Sequence, residues 1–293
     1  MKMDIVVHVA GGLANKMFHC ALAIVLQNEG HKVSIDTESQ KIEFEHDKLS
    51  LWGIFPRLNL SQMPPNKYKY GGDMSLFGKI MRRLPLITGE RYYINHAHLY
   101  TENFISQIKH DGYIIGYFQN EQYFKKYDNK IREAFSFAPI LDERNIQLVN
   151  ELLGANSVAI HVRKGDGYAT WDEFKGTCPN DYYKKAVTYL KGKYQNLKFY
   201  VFTDSVIWVK ENFSWLEYTL VDWNPSVGWG NHFDMQLMSL CKHNIIANST
   251  YSWWGAWLNS NPQKEVIAPM EWFNLNSRVK HQSEIVPVDW IKI

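Results

Sequence analysis

Cysteine is scarce and has no pairing pattern. The 293 residues hold three, Cys20, Cys178 and Cys241. An odd, widely spaced set without a CxxC pair argues against both a disulfide framework and a structural zinc site, and fits a reducing compartment. No Asp-x-Asp triplet occurs, and no His, Cys and carboxylate cluster has metal-ligand spacing, so no divalent-ion site is expected. Long apolar runs are missing: the longest near the start, Phe18 to Leu26, is far shorter than the ~20 residues of a spanning helix. A strand-like run, Ile5 to Ala10, begins almost at residue 1, so neither a cleavable signal nor an anchor is expected before it. Charge of one sign is absent too. Lys and Arg total 32 against 30 Asp and Glu, a formal +2, too balanced for a nucleic-acid partner. A cytoplasmic protein with a local anion site is the expectation these absences leave.

What is present is a core. Hydrophobic residues make up 45% of the chain, enough for two α/β lobes. The first half opens with a strand from Asp4 to Ala10, a Gly11-Gly12 turn, a helix from about Asn15 to Gly30 and a strand over Val33 to Asp36, with a later strand over Tyr113 to Phe118. Between 37 and 88, Pro56, Pro64-Pro65, Gly71-Gly72 and Pro85 break every periodic run, which predicts loops and short helices. Within it, Lys67, Lys69, Lys79, Arg82 and Arg83 alternate with Tyr68, Tyr70, Leu76 and Phe77, the pattern of either a solvated loop or a segment resting on an anionic lipid surface. Pro139 marks the boundary between lobes 1–138 and 139–293, with the last ~20 residues able to return to the first lobe.

The second half is more regular. Apolar runs at Ser157 to Val162, Lys198 to Phe202, Tyr218 to Val221, Asn244 to Ala247 and Glu265 to Ala268 alternate with helical segments, which implies a parallel sheet covered on both faces. Ligands in such sheets bind outside the carboxyl ends of the strands. Four consecutive ends carry polar groups: His161 to Asp166, Thr203-Asp204, Asp222 and Asn248-Ser249-Thr250.

Arg163 leaves the first of these ends. A guanidinium there either clamps two diphosphate oxygens or pairs with Asp166 at the surface. Asn248-Ser249-Thr250 precedes a helix, where it caps the N-terminus and also offers hydroxyls and N–H groups to a phosphate. Gly11-Gly12 lets the backbone approach a ligand closely but follows neither GxGxxG nor GxxxxGK(S/T). His161 reads equally as a base or phosphate contact and as a core histidine. Asp234 reads as a helix-dipole complement, and Trp253-Trp254 with Trp257 as core packing.

In chain order and over nearly the whole length, these segments resemble the bacterial α-1,2-fucosyltransferases. The family's GGLGNQMFQYA stands here as GGLANKMFHCA (11–21), its HxRRGDY as HVRKGDGY (161–168), its F-S/T-D as FTD (202–204), and its LMSxCxxNIIxNSxFSWWxAWL as LMSLCKHNIIANSTYSWWGAWL (237–258). GYFQNEQYF (116–124), GTCPNDYY (176–183) and VIAPMEWF (266–273) are also similar. The resemblance implies two facing Rossmann-like lobes of GT-B type, with the nucleotide sugar in the cleft, GDP held mainly by the second lobe, and no metal or other cofactor. It implies inverting transfer from GDP-fucose to the 2-hydroxyl of a galactose-terminated, lipid-linked surface glycan, by a cytoplasmic enzyme at the inner membrane face. Carried over by position, Arg163 and Lys164 bind phosphate, His161 and Asp204 border the nucleoside, Asn248, Ser249 and Thr250 contact phosphate, and Gly11, Gly12 and Asn15 face the donor sugar and acceptor. Asp166, His19, Asp172 and Glu173 are the candidate bases, Asp166 first for its place beside Arg163. Ala14, Lys16, Cys20 and Lys164 depart from the family pattern, and Lys164 lacks the guanidinium fork expected there.

Overall fold

In the computed structural model, which describes residues 2–38, 50–65, 67–73, 75–95, 99–165, 167–277 and 284–293, the chain forms two compact units, 1–138 and 139–293. The strands are β1 (Asp4–His8), β2 (Lys32–Asp36), β3 (Ser61–Gln62), β4 (Tyr92–Asn95) and β5 (Gly112–Gly116) in the first unit. In the second they are β6 (Asn156–Val162), β7 (Leu197–Thr203), β8 (Thr219–Val221), β9 (His243–Ile245), β10 (Val266–Ala268) and β11 (Ile291–Lys292). The helices are α1 (Leu13–Asn28), α2 (Leu51–Ile54), α3 (Leu76–Met81), α4 (Pro85–Thr88), α5 (Asp128–Ala134), α6 (Glu143–Gly154), α7 (Asn180–Lys193), α8 (Val206–Asn212), α9 (Phe233–Leu240) and α10 (Thr250–Leu258).

Each unit is an α/β layer structure on a parallel sheet. The first sheet runs β3-β2-β1-β5-β4, the second β11-β10-β9-β6-β7-β8, and every pairing is parallel. Renumbered from its own first strand, the second sheet is the doubly wound order 3-2-1-4-5-6, whose direction reverses between β6 and β9. Central strands are buried on both faces: in β6, Val158, Ile160 and Val162 are buried on one and Ala159 and His161 on the other. α7 turns Tyr182, Tyr183, Ala186, Val187 and Leu190 onto this sheet. α10 is apolar on nearly every side: Trp253 and Trp254 are fully buried, pack edge to face at 5.0 Å, and meet Trp257 and Trp290.

The structure departs from the sequence reading in its weakest elements. β3 and β11 are two-residue edge strands and β4 is only partly buried, so none carries an apolar run long enough to register as a strand. The end of the chain bonds within the second unit. β11 pairs with β10, Ile293 donates its N–H to Ala268 at 3.0 Å, and Trp253 Nε1 donates to the Ile285 carbonyl at 2.8 Å. Among the described residues no helix is long and apolar enough to cross a membrane.

Candidate functional site

Because every strand of the second sheet points the same way, the carboxyl ends of β6, β7, β8 and β9 lie along one edge. The crevice of a doubly wound sheet opens where the strand order reverses. Here that point is flanked by the loop after β6, which carries Arg163, and the loop after β9, which carries Asn248 and Ser249.

Arg163 is anchored by the next strand end. Its Nη1 donates to Asp204 Oδ2, and the other oxygen, Oδ1, accepts the Lys164 backbone N–H at 2.8 Å. The guanidinium lies 5.2 Å from the Tyr168 ring centre and its side chain is 29% exposed. One carboxylate thus fixes both the arginine and the backbone that presents it, and a guanidinium with five donors keeps one end oriented by the protein. Gly165 is required for this: a Cβ there would come within 2.6 Å of the Asp204 carbonyl. Asp204 therefore holds the arginine in place. Asp166, the alternative partner for Arg163, lies outside the described residues.

Lys164 is turned elsewhere: Nζ donates to the Thr177 carbonyl at 2.7 Å and sits 5.3 Å from the Trp208 ring centre. Burial lowers its pKa. Asn248 is also internal, with Nδ2 donating to the Trp272 carbonyl at 3.0 Å and Oδ1 accepting from Cys178 Sγ at 3.4 Å. It shapes the loop, and Tyr168 closes the loop from the other side by donating to the Asn248 carbonyl at 2.7 Å. Ser249 is the N-cap of α10, its hydroxyl accepting from the Tyr251 N–H at 3.3 Å, and Thr250 is the first helical residue. No acidic residue occupies the first turn of this helix, so its positive end is not offset. Asp222, the polar group after β8, is exposed.

His161 is buried just inside the β6 end, its ring 5.8 Å from that of Tyr251. Burial pulls its pKa down to about 4, and its Nδ1 has no hydrogen-bond partner among the described residues. Tyr251 leads to a group that the sequence reading passed over. Its hydroxyl accepts the Met235 N–H at 2.9 Å and donates to the Asn231 carbonyl. Asp234, one residue before Met235, accepts from Asn224 Nδ2 at 2.7 Å, and burial raises its carboxyl to about 7. The sequence signal was an acidic residue at a helix start, which dipole complementarity explains equally well.

In the first unit the order reverses between β1 and β5. Gly11, at φ +79, turns the chain after β1, and Gly12 begins α1 with neither a side-chain cap nor an acidic first turn. Asn15 Oδ1 accepts from Gln119 Nε2 at 3.0 Å, tying this turn to the loop after β5. His19, a candidate base, is occupied: Nδ1 accepts from the Ala10 N–H at 3.4 Å, Nε2 donates to the Gly116 carbonyl at 2.8 Å, and burial pulls its pKa down to about 3. It is a positioned core histidine. Among the described residues no group of His, Cys, Asp and Glu is arranged to hold a metal ion.

Comparison with known proteins agrees with this layout. Residues 84–293 match glycosyl transferase family 11. The chain is 31% identical to an α-1,2-colitosyltransferase of Escherichia coli, over 99% of this chain and 98% of that one. It is 30% identical to the O-antigen biosynthesis glycosyltransferase WbnK of Escherichia coli, over 97% of this chain and 98% of that one. Among solved structures, NodZ α-1,6-fucosyltransferase soaked with GDP-fucose is similar at TM-score 0.50 and 16% identity, covering 88% of this chain and 93% of that chain. A mutant of Arabidopsis thaliana FUT1 in complex with GDP is similar at TM-score 0.55 and 14% identity, covering 92% of this chain and 70% of that chain.

Proposed function

The chain belongs to glycosyl transferase family 11, and from that we propose that it transfers L-fucose from GDP-β-L-fucose to the 2-hydroxyl of a galactoside, with inversion. The observation that carries this reading is Arg163, set at the strand-order reversal of the second unit and held by Asp204. The β-phosphate of a departing GDP gains negative charge as the glycosidic bond breaks. A guanidinium already oriented for it, together with the start of α10, whose first turn carries no acidic residue, stabilises that charge without reorganising. No metal ion is needed for this step, and none takes part in the reading. Asp234 with Asn231 suits the base, since guanine presents two adjacent N–H donors that an ionised carboxylate accepts. Inversion in one displacement requires the acceptor hydroxyl to attack from the face opposite GDP. The Gly11-Gly12 turn and Asn15 are assigned to the sugars, and Asp166 to the proton.

The relative named for O-antigen biosynthesis supports a surface glycan acceptor, which we take to be lipid-linked and met at the cytoplasmic face of the membrane. The colitosyltransferase also favours a second donor, because colitose is fucose without its 3-hydroxyl. A site that hydrogen-bonds that hydroxyl rejects the deoxy sugar by several orders of magnitude, whereas an apolar wall does not. Incubation with GDP-fucose or GDP-colitose and a panel of galactosides, followed by linkage analysis, decides between them. An α-1,2-fucosyl product is expected; turnover of GDP-colitose alone would transfer the assignment to that sugar. Binding of either donor without any product would make the chain a nucleotide-sugar-binding protein.

A further inference from the structure

α3 is amphipathic in the reverse sense. Its inward side is polar and narrow: Gly78 is so close to Asp73 that a Cβ would approach it to 2.5 Å, and one turn on, Arg82 is buried. That guanidinium donates to the carbonyls of Tyr70 at 2.7 Å and Asp73 at 2.5 Å. At 100° per residue the opposite side of the helix carries Leu76, Phe77 and Ile80. All three are exposed, Leu76 by 75% and Phe77 by 60%. The next turn adds Leu84, and α4 adds Leu86, fully exposed, and Ile87. A helix on a water-facing domain turns its apolar stripe inward. Here six large apolar side chains within residues 76–87 face outward together, which scattered surface leucines do not do.

The charge around them has one sign. From Ser75 to Arg91 there are four cations, Lys79, Arg82, Arg83 and Arg91, against one anion, Glu90, a net +3 in a chain whose formal charge is +2. The remainder is therefore acidic on balance, and the excess of cations is concentrated where the apolar side chains protrude. Arg82 is used inside the fold, while Lys79, Arg83 and Arg91 are exposed, as is Lys69 nearby. A second copy of this chain would set one cationic surface against another, which opposes pairing. Apolar side chains flanked by cations instead complement an acyl layer beneath anionic headgroups.

We propose that α3 and α4 are a membrane-surface anchor, which inserts Phe77, Ile80, Leu86 and Ile87 into the interface of a bilayer rich in anionic lipid while Lys79 and Arg83 meet the headgroups. The anchor lies on the bilayer rather than crossing it. It stands on this surface alone and is independent of which sugar is transferred. The test is flotation of the full chain with phosphatidylglycerol/phosphatidylcholine vesicles and with phosphatidylcholine alone. Binding to the anionic vesicles is expected, weakened ~10-fold or more by raised salt. Replacing Phe77, Ile80, Leu86 and Ile87 together by Ser should weaken it by on the order of 10²-fold. Lys79→Glu with Arg83→Glu should weaken it ~10-fold or more. Transfer to a soluble acceptor and the thermal midpoint should stay unchanged, because every altered side chain is exposed. No binding by the unaltered chain, or equal binding by the variants, would overturn the proposal. So would a dimer, seen by light scattering, that the serine variant abolishes while vesicle binding persists.

Discussion

At the scale of single residues, the Arg163–Asp204 pair predicts an asymmetry. Arg163→Ala removes the group proposed to meet developing phosphate charge, and kcat/KM should fall ~10²–10³-fold or more. Arg163→Lys should restore little of it, because an ammonium cannot hold Asp204 and a phosphate with one planar fork. Asp204→Asn should act more mildly, mainly raising the donor KM, since the arginine stays but is no longer fixed. Steady-state kinetics of the purified, folded variants check the ranking, and near-normal turnover by Arg163→Ala would refute it. Asp234 predicts a pH effect of definite sign. Its ordinary carboxyl value of 3.8 is raised to about 7 in the fold, so across that interval the unfolded chain ionises while the folded chain keeps the proton. Stability should therefore decline as pH rises from about 4 to about 7 and level off above. Asp234→Asn should flatten that part of a plot of thermal midpoint against pH. If the ionised carboxylate accepts the base, donor KM should also rise below pH ~7 in the natural enzyme but not in the variant.

At the scale of elements, the loop after β6 sits where it does because Gly165 has no Cβ, which would come within 2.6 Å of the Asp204 carbonyl. Gly165→Ala should push this loop off the β7 end, lowering activity ~10-fold or more with a smaller loss of stability, read from kinetics and a melt of the same sample. This stretch also shows what is legible without coordinates. Polar groups at four successive strand ends located Arg163, Asp204 and Ser249, because a parallel sheet aligns its carboxyl ends whatever else the fold does. Side-chain direction was not legible: Lys164 follows Arg163 in the chain yet turns to Thr177, and Asn248 precedes Ser249 yet bonds inward to Trp272. Neighbours at a strand end point to opposite sides, and only packing decides which side meets the ligand. Asp234 escaped for a related reason, since the Tyr251 and Asn224 contacts that give it a setting come from distant parts of the chain.

At the scale of the whole molecule, the parallel sheet of the second unit was readable from regular apolar runs, and that of the first less so, because prolines and glycines erase periodicity between residues 37 and 88. If the second unit binds GDP through its own groups, GDP at ~100-fold over Kd should raise stability by about 2.7 kcal/mol. Excess EDTA should leave both that shift and transfer intact; loss of both, restored only by Mn²⁺, would show that a metal belongs to the site. The unequal placement of indoles makes such measurements selective. Of 11 tryptophans, Trp52 alone lies before residue 139, whereas the stacked group around α10 and the rest lie beyond it. Intrinsic fluorescence therefore reports almost entirely on the second unit, and circular dichroism on both. A mismatch between the two melting curves would time the halves separately, with no label attached to either.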